Sequence, residues 1–111
     1  MKDNFRVEIV QEPFVHENYE PQMNILARIS ASNSFTNLSS VMISSHFDSA
    51  GLVDGAGDNG IMVAAQLEIF RNILSRDTPP SNPIIFFFNN GEELGLLGAK
   101  AFITKEDSWA K

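Results

Sequence analysis

Residues 84–93 read IIFFFNNGEE, and this stretch decides the fold. Five apolar residues without alternation, Ile84 to Phe88, have strand length and the pattern of a strand buried on both faces. Such a strand needs a covering layer on each side, which helices supply in α/β proteins. Asn89, Asn90 and Gly91 break the run, and Glu92 begins a helical stretch through Leu96, Leu97, Ala101 and Phe102.

Working upstream, Pro79, Pro80 and Pro83 close off a helix predicted over Ile61 to Leu74, with Val63, Leu67, Phe70 and Leu74 as its apolar stripe. Val41 to Ser45 is a short apolar strand that runs straight into His46. The second half is therefore βαβα, which predicts an α/β fold with a mixed, largely parallel sheet flanked by helices. Two more strands come first. Residues 5–15 place Phe5, Val7 and Ile9 on one face and end at Pro13; residues 23–30 form the next. Between 31 and 40 the chain is rich in Ser and Asn and reads as a loop. Asn37-Leu38-Ser39 in that loop fits a glycosylation sequon, a tripeptide frequent by chance.

At 111 residues the chain allows one domain at most. It has no cysteine, so disulfides and thiolate metal sites are excluded and any metal falls to His, Asp or Glu. Eight basic and 14 acidic residues give a net charge of −6, which argues against nucleic acid as a partner. No apolar run approaches the ~20 residues that span a bilayer, and no signal-peptide pattern opens the chain. The chain itself is expected to be soluble.

Three clusters carry chemistry: His46-Phe47-Asp48, Gly55-Ala56-Gly57-Asp58-Asn59-Gly60, and Gly91-Glu92-Glu93. Each follows a predicted strand or opens a helix, and ligands of α/β sheets collect outside the carboxyl ends of the strands. Singly, each has an ordinary explanation. His46 fits a strand-end histidine bonded to backbone, Asp58-Asn59 a helix cap, Glu92-Glu93 the acidic first turn of a helix, and Asp48 a turn cap. Together on one rim, the carboxylates would repel unless protonated or bridged by a cation. Histidine with carboxylates is a donor set suited to zinc.

The segments SSHFDS, GAGDNG, LEIFRNI, IIFFFNNGEELGLLGAKAFI and EDSWA together resemble the co-catalytic di-zinc aminopeptidases. Within that group they look most like the endoplasmic reticulum metallopeptidases and vacuolar membrane proteases. The resemblance covers roughly residues 22–111. It implies a zinc-exopeptidase-like fold, of which residues 1–111 would be the N-terminal portion of a single domain, and hydrolysis of N-terminal peptide bonds with two zinc ions per complete site. His46 would ligate the first zinc, Asp58 would bridge both, and Glu93 would ligate the second. Glu92 would be the general base toward the water between the metals, and Asp48 would accept a hydrogen bond from the His46 imidazole. A cis peptide between Asp58 and Asn59 is implied as well. So are a peptide substrate, a membrane-anchored parent protein, and a location in the endoplasmic reticulum or vacuolar lumen.

The family supplies two further ligands downstream, an acidic residue and then a histidine. Only 18 residues follow Glu93; their acids, Glu106 and Asp107, come too soon to match, and no histidine follows His46. His16, upstream, reads as a surface residue of an edge strand. The 111 residues alone are therefore expected to be inactive, as a truncated domain. Two other readings stand beside the peptidase: a one-zinc glutaminyl cyclase of the same fold, and a non-catalytic truncated product. The GEELG sequence and the Asn after Asp58 favour the peptidase.

Overall fold

The structure, a computed structural model, describes residues 2–34, 38–105 and 109. Asn37 of the sequon therefore lies outside the described residues. The elements are β1 (Phe5–His16), β2 (Tyr19–Ala31), β3 (Val41–His46), α1 (Ile61–Leu74), β4 (Ile84–Asn89) and α2 (Leu97–Thr104). Among the described residues the strands form one mixed sheet in the order β1-β2-β4-β3. The expected α/β architecture is present, with fewer parallel pairings than expected. Only β3 and β4, joined through α1, run parallel; β1–β2 and β2–β4 are antiparallel. The short turn between β1 and β2 permits nothing else, whereas a parallel pair needs a crossover such as α1.

The run Ile84–Phe88 lies in the interior of the sheet and is buried on both faces, as its lack of alternation requires. Period-two geometry divides it. Phe86 and Phe88 enter one core with Phe5, Ala27 and Ile29, under Val63, Phe70, Ile73 and Leu74 of α1. Ile85 and Phe87 enter a second core with Leu26 and Phe102 of α2. Aromatic contacts tie each helix down: Phe70 meets Phe86 edge-on at 5.1 Å between ring centroids, and Phe87 meets Phe102 at 4.6 Å. Trp109 packs against the second core, with the Arg28 guanidinium 4.2 Å above its ring.

Four expectations change. Pro13 does not end β1, which continues to His16 with Pro13 paired to Met23; β1 is an edge strand, where a missing N–H costs no ladder bond. The stripe of α1 also shifts: Leu67 is half exposed and Gln66 is buried in its place. Asp58 and Asn59 make no capping bond; the residue before α1 is Gly60, and no side chain caps the helix. Nor does Glu92 open α2. Residues 91–96 form closed turns, with the N–H groups of Gly95 and Leu96 on the Glu92 carbonyl and that of Leu97 on the Gly91 carbonyl, and the helix starts at Leu97.

Candidate metal centre

Three segments meet at the carboxyl ends of β3 and β4. β3 delivers His46, which pairs in register with Asn89, and the N–H of Phe47 donates to the Asn89 carbonyl at 3.0 Å. Beyond it the chain turns through Gly55, whose φ of +71° only glycine adopts easily, and closes with Gly60 N–H on the Gly55 carbonyl at 2.8 Å. Asp58 sits in this turn outside the helical region, and its peptide to Asn59 is cis. The third segment follows β4. Gly91, at φ +70°, turns it toward the others, and a Cβ there would lie 2.4 Å from Gln22 Oε1.

A buried asparagine that sequence reading missed secures this third segment. Asn24 of β2 donates to the Gly98 carbonyl at 2.8 Å and accepts the N–H of Asn90 at 3.0 Å. The signal was a polar residue set between the apolar Met23 and Ile25.

Asp48 joins the first segment to the third. Its two carboxylate oxygens accept the N–H groups of Glu92 and Glu93, each at 3.1 Å. Its main-chain carbonyl lies 3.0 Å from His46 Nδ1, while its carboxylate is 3.4 Å away. The imidazole therefore hydrogen-bonds the main-chain carbonyl of Asp48 rather than its carboxylate, whose two oxygens accept the glutamate N–H groups.

A carbonyl only accepts, so Nδ1 carries a proton and Nε2 of the neutral ring keeps its lone pair. That lone pair faces Asp58 Oδ1 at 3.0 Å and Glu92 Oε2 at 3.6 Å. Acceptor against acceptor is unfavourable unless a proton or a cation lies between. Burial by itself would lower the His46 pKa; the Asp48 hydrogen bond, the Glu92 and Asp48 charges and the Asp58 hydrogen bond outweigh it and hold the ring above its usual value. Glu93 also has a raised pKa, from desolvation first and then the negative charges of Asp58, Glu92 and Asp48, partly offset by His46.

His46, Asp58 and Glu93 can each offer one ligand atom, all within 4.8 Å of one another. Ligands at ~2.0–2.2 Å from a zinc ion lie up to about 4.4 Å apart, so the set is close to what a metal requires. One imidazole and two carboxylates, without thiolate, suit zinc. Among the described residues the ion pairs at this rim all involve His46, which leaves a surplus of negative charge for a cation to neutralise. His16 lies apart at the β1–β2 turn, its Nδ1 accepting the Asn18 N–H, and Glu106 and Asp107 lie outside the described residues.

Much of this sequence is shared with known proteins. The vacuolar membrane protease of Yarrowia lipolytica is 40% identical over 88 residues, covering 79% of this chain and 9% of that protein. That of Lodderomyces elongisporus is 37% identical over 100 residues, 90% of this chain and 10% of its own length. The chain thus spans about a tenth of the relatives it matches. The family model of peptidase family M28 matches residues 24–111, which include His46, Asp58, Glu92 and Glu93. The chain belongs to peptidase family M28.

Proposed function

We propose that these residues form the N-terminal portion of a zinc-dependent exopeptidase domain that releases amino acids from peptide N-termini. The observation that carries the reading is the convergence of His46, Asp58 and Glu93 within 4.8 Å, with Glu92 beside them. In a site holding two zinc ions His46 and Glu93 would each serve one, and Asp58, with two oxygens, would serve both. Bound zinc would polarise the scissile carbonyl and make water acidic enough to be activated near neutral pH.

The chain's own residues prepare that chemistry. The Asp48 carbonyl holds the Nδ1 proton and aims Nε2 at the carboxylates. The Asp48 carboxylate holds the adjacent glutamates in one turn, so that Glu93 can bind while Glu92 takes a proton from the attacking water. The relatives' names support a vacuolar membrane setting for the parent protein rather than the endoplasmic reticulum. Among the described residues no helix is long and apolar enough to cross a membrane, so an anchor would lie elsewhere in the parent.

The test is hydrolysis of aminoacyl chromogenic substrates by the full-length protein, before and after chelation, beside peptides with blocked N-termini. Chelator-sensitive turnover of the free N-termini alone supports the reading. Equal cleavage of blocked peptides contradicts it.

A further inference from the structure

α1 buries a polar residue on its core-facing side. Gln66 is 1% exposed, between Val63 and Phe70, both of which pack into the apolar core. A primary amide buried among apolar groups is unfavourable unless both its ends are hydrogen-bonded. Both are. Gln66 Nε2 donates to the main-chain carbonyl of Ile43 at 2.9 Å, and Gln66 Oε1 accepts from the buried hydroxyl of Ser45. The orientation has no alternative. A carbonyl cannot donate, so the amide nitrogen must face Ile43, which leaves the amide oxygen for Ser45 and makes Ser45 the donor.

Ser45 immediately precedes His46, and α1 begins three residues after Asp58. One amide therefore fastens the end of strand β3, which delivers the imidazole, to the helix that follows the carboxylate opposite it. We propose that Gln66 and Ser45 are a positioning pair that holds His46 against Asp58 and thereby sets the affinity of the metal site. The pair touches neither substrate nor metal. The reason for a glutamine at a stripe position is then geometric. An apolar residue would pack against β3 but could slide along it, whereas two directional bonds fix the register of β3 on α1.

The inference rests on the metal reading, and the experiment separates the two. In the full-length protein, zinc dissociation constants are measured by chelator competition for wild type, His46→Ala, Ser45→Ala, Ser45→Thr, Gln66→Leu and the double variant Ser45→Ala/Gln66→Leu, with melting of the zinc-free proteins beside them. Partners that orient a ligand typically change metal affinity ~10–100-fold, so a pair acting one residue further out is expected to give about 3–10-fold. Ser45→Ala and Gln66→Leu should each weaken zinc by that factor. The double variant should be no weaker than Gln66→Leu, because both act through one contact. Ser45→Thr, which keeps the hydroxyl, should bind like wild type. Ser45→Ala removes only one oxygen, so it reports on the pair even where Gln66→Leu fails to fold. Wild-type zinc affinity in Ser45→Ala, with zinc lost in His46→Ala, would overturn the positioning role and leave the metal reading standing. A wild type that binds no zinc would overturn both.

Discussion

Asp48 accepts the main-chain N–H of Glu93 on one carboxylate oxygen, at 3.1 Å, and that of Glu92 on the other. The residue two positions after His46 thus sets the conformation of a turn more than 40 positions away. Asp48→Ala is expected to weaken zinc binding by about 10–100-fold, the usual effect of losing a partner that orients ligands. The His46 ring should keep its orientation, because its Nδ1 bond goes to the main-chain carbonyl. Asp48→Asn, which keeps one acceptor oxygen, should fall between. Chelator competition on the full-length protein reads this directly, and wild-type affinity in Asp48→Ala would contradict it.

The adjacent glutamates should separate by what they change. Glu92→Gln is expected to keep the zinc content of the full-length enzyme while reducing turnover by roughly 10²–10⁴-fold, the loss typical of a general base. Metal analysis and initial rates on the same preparation check it. A Glu92→Gln protein that lost its zinc would mean that the two glutamates have exchanged roles.

Legibility in the sequence followed the range of the interactions. Ile84–Phe88 could be read as a doubly buried strand because five consecutive apolar residues leave no solvent face. The convergence of His46, Asp58 and Glu93 could be anticipated because strand ends share a rim. The N-terminal hairpin's antiparallel pairing was less visible, since the order of strands in a sheet depends on long-range contacts. Leu67 was misread because hydrophobicity alone decided the stripe. Gln66 sits three residues after Val63 and four before Phe70, and its burial depends on Ser45 and a carbonyl, which no periodicity records. Glu92 and Glu93 looked like a helix start because the acceptor that holds their N–H groups is Asp48, distant in sequence.

The reassigned stripe makes a paired prediction. Phe86→Ala should destabilise the protein by about 3–5 kcal/mol, since Phe86 is fully buried between β4 and α1. Leu67→Ala, at a half-exposed position, should cost no more than about 0.5–1 kcal/mol. Denaturant unfolding of the two variants distinguishes them; similar losses would return Leu67 to the core.

Acid should weaken the β1–β2 pairing through Glu8. Arg28 Nε donates to Glu8 Oε2 at 2.8 Å, and this hydrogen bond, with the Arg28 charge, holds the Glu8 pKa below its usual 4.5 despite some desolvation. A depressed carboxylate pKa contributes stability that is present above pH 4.5 and is lost as the pH falls through the folded-state value. The pair is partly solvated, so the contribution is less than about 1 kcal/mol. Glu8→Gln should therefore be slightly less stable than wild type at pH 7, and the difference should shrink as the pH falls below 4.5. A difference that grew on acidification would have the wrong sign.

The central claim is that His46, Asp58 and Glu93 form one metal site, and zinc stoichiometry tests it most directly. Zinc per chain is measured in the full-length protein, as wild type and as His46→Ala, Asp58→Asn and Glu93→Gln, after equilibration in buffered free zinc. Two zinc ions in the wild type, with fewer in each variant and the largest loss in Asp58→Asn, is the expected result. Zinc content unchanged by all three substitutions, or no zinc in the wild type, would contradict the account.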